Sequence, residues 1–79
     1  MTASDIAESG PRLVDDQVRH IFLEVSLGRG RHGDFLKYFG DAVVRADPEN
    51  FALIRPSAMM LIVKYELLRY LDTFTEKIA

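Results

Sequence analysis

The sequence predicts an all-α fold: a small compact bundle of about four short helices preceded by a flexible N-terminal arm. Apolar residues recur at helical spacing along most of the 79 residues. Helix-starting and helix-ending residues punctuate those stretches. The stretches are too short and too unevenly spaced for a regular coiled bundle.

The arm is residues 1–13, and residues 14–79 form the single helical domain. Met1–Arg12 is small, polar and acidic and ends in Gly10-Pro11. From Asp15 the pattern turns helical, with Val14, Val18, Ile21, Phe22 and Val25 on one face and Leu23 and Leu27 widening it. Asp15 and Asp16 suit the positive end of a helix dipole. Asp15 and Arg19 have the acid-first i, i+4 spacing of a helical ion pair. Gly28 stands where a left-handed C-terminal cap is wanted.

A second helix runs over Asp34–Ala46, with a stripe of Phe35, Phe39, Ala42, Val43 and Ala46, extended by Leu36. Asp34 is its expected N-cap, and Asp41 and Arg45 form another acid-first pair. Gly40 inside it costs about 1 kcal/mol relative to alanine. Either a neighbouring helix approaches closely there or the cost is tolerated.

Asp47-Pro48-Glu49 combines an aspartate cap, a proline at the first helical position and an acid in the first turn. Pro56 follows within about two turns and disfavours helical geometry at Arg55. The expectation is a short helix over Glu49–Ile54, a bend, and a new helix opening at Pro56; a single kinked helix is the alternative. The last helix, Pro56–Asp72, is apolar on most sides, from Met59 through Val63 and on to Tyr65, Leu67, Leu68, Tyr70 and Leu71, with Phe74 beyond. Such a helix must be buried on most sides.

Composition narrows the function classes. Ten basic against twelve acidic side chains give a net charge of −2. That argues against a surface that tracks nucleic acid or anionic lipid throughout, while leaving room for a local basic patch. No cysteine is present, which excludes disulfides and thiolate zinc sites. A chain this short buries only roughly 60% of its unfolded surface, so its stability must come from good helix packing or from self-association. The start of the chain lacks the pattern of a signal peptide. The longest apolar run, Ala58–Val63, is far shorter than the roughly 20 residues of a membrane span. No membrane association and a cytoplasmic location are therefore expected.

Gly28-Arg29-Gly30-Arg31-His32-Gly33 holds three of the five glycines. With Lys37 and Arg45 it forms a basic stretch that can face a phosphate or carboxylate at a helix start. It has neither the Walker lysine followed by serine or threonine nor a preceding strand, and a plain helix-to-helix connector explains its glycines equally. Asp16, His20 and Glu24 share a helix face in a spacing that can hold a divalent metal, but such stripes are usually solvated charge, and no metal is assigned. Met59-Met60 suits an adaptable groove, a core or a subunit interface. Tyr38, Tyr65 and Tyr70 offer stacking faces, with core packing the default for the latter two. Ser57 has no histidine near it in sequence, so a nucleophilic triad has no support.

The expected function is that of a small non-enzymatic interaction or adaptor protein without cofactor. It self-associates or joins a protein partner through its C-terminal helix, by way of Met59, Met60, Val63, Leu67, Leu71 and Phe74. The alternative is a nucleic-acid or anionic-ligand binding module that uses Arg29, Arg31, His32, Lys37 and Arg45.

Overall fold

The computed structural model describes residues 12–72. It contains helices α1 (Asp15–Ser26), α2 (Asp34–Arg45) and α3 (Pro48–Lys64), then a 3-10 helix over Leu67–Tyr70. No strand occurs among the described residues. The class is all-α, with three α-helices and a short 3-10 turn among the described residues, where about four short helices are expected. Nearly all of the expected N-terminal arm, and Phe74, lie outside the described residues. Leu13, the arm's last residue, packs against the edge of the core, and its carbonyl accepts a hydrogen bond from the Arg55 guanidinium.

α1 starts where its pattern begins. The Val14 N–H, otherwise without a helical partner, donates to Gln17 Oε1 at 3.0 Å. The helix ends in a Schellman motif. Gly28 takes φ +94°, its N–H donates to the Val25 carbonyl, and the Arg29 N–H donates to the Glu24 carbonyl, both at 3.0 Å.

α2 packs along α1, the most extensive helix pair in the fold. Its N-cap is Gly33 rather than Asp34, which is the first helical residue. Gly40 is the point of closest approach. A Cβ there would lie 2.8 Å from the Phe22 carbonyl oxygen and 3.4 Å from the Ser26 nitrogen. Of the two readings of this glycine, close helix approach is the one the structure shows.

α3 opens as its signature predicts: Asp47 Oδ1 accepts from the Asn50 N–H at 2.7 Å, with Pro48 at the first helical position. It does not stop before Pro56. The helix runs unbroken from Pro48 to Lys64 with Pro56 inside it, so the expected boundary between two helices is corrected to one helix containing a proline. Two local features make this possible. Pro56 faces solvent, so water can reach the Ala52 carbonyl that it leaves without a helical donor. On the opposite side Phe51, Ala58 and Ile62 are buried in the core and hold both halves in place.

The last expected helix is also shorter than its apolar pattern. α3 ends at Lys64, and Glu66 adopts a left-handed conformation, φ +56° and ψ +48°. A left-handed non-glycine residue costs about 1–2 kcal/mol. The turn places Leu67 and Tyr70 in the core, at 0% and 2% exposure, and burial of a leucine side chain contributes about 1.5–3 kcal/mol. The core therefore draws on every element: Val18, Ile21, Phe22 and Val25 from α1, Leu36 and Val43 from α2, the three α3 residues above, and the 3-10 pair. The 3-10 helix closes on both α1 and α3, whereas α2 and α3 touch only sparsely. That thin contact leaves a groove between them.

Candidate functional site

The glycine-arginine loop, residues 28–33, is folded onto the 3-10 helix. Arg29 presents a fork to Asp72, Nη1 to Oδ1 at 3.2 Å and Nη2 to Oδ2 at 3.0 Å, and lies 3.5 Å from Glu24 Oε2. Its guanidinium carbon also sits 4.7 Å from the centroid of the Tyr70 ring. The hydrogen bond to Asp72, joined by the charges of Asp72 and Glu24 and opposed by desolvation, holds the Arg29 pKa above its ordinary value. His32 Nε2 is 2.6 Å from the Tyr70 hydroxyl, which is 3.3 Å from the Arg29 carbonyl oxygen. With Nε2 carrying the proton, His32 donates to Tyr70 and Tyr70 donates to that carbonyl. Gly30 stands beside this pair, and a Cβ there would overlap the hydroxyl.

The five residues grouped as an anion site differ in how they are engaged. Arg29 and His32 turn inward to Asp72, Glu24 and Tyr70. Arg45, at the far end of α2, has its Nε 3.2 Å from Asp41 Oδ1. Arg31 and Lys37 are exposed and have no side-chain partner among the described residues. On α1, His20 is nearly buried, with Nε2 3.8 Å from Glu24 Oε1, while Asp16 is exposed. No group of three histidine, cysteine or carboxylate side chains is arranged to hold a metal among the described residues.

The other exceptional surface is apolar. Phe35, Phe39, Ser57, Met60 and Leu61 line an open groove between α2 and α3. Phe39 spans groove and core: its ring meets Phe22 edge-on at 5.4 Å and stacks on Phe35 at 6.3 Å. Next to the groove, α3 turns Leu53, Met60 and Val63 to solvent at 73%, 71% and 57% exposure. Ala52, Pro56 and Ser57 occupy the same exposed face.

No protein-family model, curated protein or solved structure matches the chain.

The six residues expected to form a self-association surface divide by position. Met60 and Val63 lie on the exposed α3 face. Met59 and Leu71 are half-buried against the core, Leu67 is wholly inside it, and Phe74 lies outside the described residues. The turn at Tyr65 and Glu66 separates Leu67 and Leu71 from the helix that carries Met60 and Val63, and Met59 lies on the inward side of that helix. Leu53 also belongs to the surface, and so does Phe35, which its place in the expected α2 stripe assigns to the core but which is 65% exposed. Leu53 had a signal, since it falls three and seven residues before Pro56 and Met60 on the outward side of a continuous helix. That signal is lost when the helix is divided at Pro56. Ser57 lies among apolar groove side chains with no histidine lining the groove.

Proposed function

We propose that this chain is a small non-enzymatic interaction protein that self-associates through the outward face of α3 and the adjoining groove. The observation that carries the reading is the exposure of Leu53, Met60 and Val63 on one helix face, continuous with a groove floored by Phe39 and Leu61. Isolated exposed apolar residues are ordinary, but a contiguous patch beside a groove marks an interaction surface. A second copy presents the same patch, so a two-fold arrangement covers both at once. Anion or nucleic-acid binding draws less support, because Arg29, His32 and Arg45 are engaged within the chain.

Sedimentation equilibrium from low-micromolar to millimolar protein tests the proposal. The expected result is a reversible monomer–dimer equilibrium that Leu53→Asp and Met60→Asp each abolish while leaving the helical circular dichroism unchanged. Both residues are exposed, so neither substitution disturbs the core. A monomer over the whole range overturns the reading.

A further inference from the structure

The charge pattern of the α3 face points to how two copies meet. Along its exposed side the helix presents Glu49, Ala52, Leu53, Pro56, Ser57, Met60, Val63 and Lys64, each three or four residues from at least one other of the set. Glu49 and Lys64 alone are charged, and they stand at opposite ends. Arg55, the other charged residue of α3, is turned away to Asp15 Oδ1 at 2.8 Å and to the Leu13 carbonyl. Neither Glu49 nor Lys64 has an ion-pair partner within the chain among the described residues; the Lys64 ammonium lies 5.4 Å from the centroid of the Tyr65 ring.

Resting on the self-association proposed above, we infer that α3 pairs antiparallel with α3 of a second copy about a two-fold axis between Pro56 and Ser57. Glu49 and Lys64 lie equally far on either side of that midpoint, and so do Leu53 and Met60. The antiparallel arrangement therefore sets Glu49 of each copy against Lys64 of the other, and Leu53 against Met60. At the centre, the small Pro56 and Ser57 allow the two backbones to approach. A parallel arrangement would instead place Glu49 on Glu49 and Lys64 on Lys64. Ion pairs at the edge of an interface add little affinity, but like charges set against each other are costly, so these two residues select orientation more than strength. Each also suits its own end of the helix dipole. That intrachain effect is blind to the charges on another molecule, which is what separates the two roles.

The test uses two full-length variants, Glu49→Lys and Lys64→Glu, each confirmed folded by circular dichroism. Alone, each places like charges together at both ends of the pair, and its self-association is expected to weaken about tenfold. Mixed in equal amounts, the two variants have both contacts attractive, and association returns to the wild-type level. A parallel measurement exploits the absence of native cysteine: Leu53→Cys mixed with Met60→Cys is expected to form a disulfide between the two variants in preference to either alone. Wild-type dimerisation without recovery in the mixture, or without preferential cross-linking, overturns the antiparallel pairing and leaves self-association standing. A wild-type chain that stays monomeric overturns both.

Discussion

The guanidinium carbon of Arg19 lies 4.2 Å from the centroid of the Phe51 ring, so that an α1 side chain covers the first turn of α3. From the same position Arg19 Nη1 donates to the carbonyls of Val43, Val44 and Ala46 at 3.1, 3.3 and 3.0 Å. These carbonyls stand at the C-terminal end of α2, where helical donors run out and negative dipole charge gathers. One cation therefore joins α1, the end of α2 and the start of α3.

Arg19→Ala is expected to lower unfolding free energy by about 1.5–3 kcal/mol, the range for hydrogen bonds to a charged group. Arg19→Lys should recover less than half of that, because an ammonium cannot lie flat on the ring while serving spread carbonyls. Urea denaturation of the two variants checks this, and a lysine variant as stable as the wild type would contradict it.

Gly40→Ala is expected to destabilise the fold by about 1–3 kcal/mol, the cost of an added methyl in a packed site. The opposing gain in helix propensity is about 1 kcal/mol. Overlap prevails because the obstacle is the Phe22 backbone carbonyl and not the end of a mobile side chain. A rise in thermal midpoint would show that α1 and α2 separate more readily than their packing implies.

Tyr70→Phe keeps the buried ring and removes the hydroxyl shared by His32 and the Arg29 carbonyl. The expected loss is about 0.5–1.5 kcal/mol. A double-mutant cycle with His32→Ala should show coupling of at least about 0.5 kcal/mol. Additive effects would mean that the two side chains lie together without supporting each other.

Pro56→Ala restores the donor for the Ala52 carbonyl in an exposed stretch of α3. Measured at concentrations where the chain is monomeric, it should raise stability, by up to about 3 kcal/mol. A loss of stability would mean that the proline sets a helix direction that the core requires.

Much of the architecture is legible in the residues. α1 follows its apolar stripe closely, and Gly28 and Asp47 perform the capping their positions imply; in α2 Leu36 and Val43 are buried, whereas Phe35 and Ala42 of the expected stripe are exposed. Local rules fail where a distant partner competes. Asp15 and Arg19 have ideal spacing for an ion pair, yet Arg19 serves the α2 carbonyls and Asp15 pairs with Arg55. Pro56 marks no boundary because core contacts on the other side of α3 outweigh its local preference. Glu66 ends α3 without glycine or proline, driven by the burial of Leu67 and Tyr70, so no residue type announces it. The contacts of Arg29 with Asp72 and of His32 with Tyr70 are not legible in the basic loop itself, because both partners lie some forty residues on. The α3 face is hidden in the sequence for the same reason: its membership depends on where the helix starts and stops.

The most direct test of the central claim is the solvent accessibility of the Met60 methyl group as protein concentration changes. Met60 is 71% exposed in the single chain, whereas Met59 beside it is half-buried against the core and serves as an internal reference. With methyl-labelled methionine and a soluble paramagnetic agent, NMR relaxation reports both side chains at once. Self-association through the α3 face predicts that the Met60 methyl becomes shielded as concentration rises from low micromolar to millimolar, while Met59 changes little. Equal relaxation of Met60 at every concentration would contradict the claim.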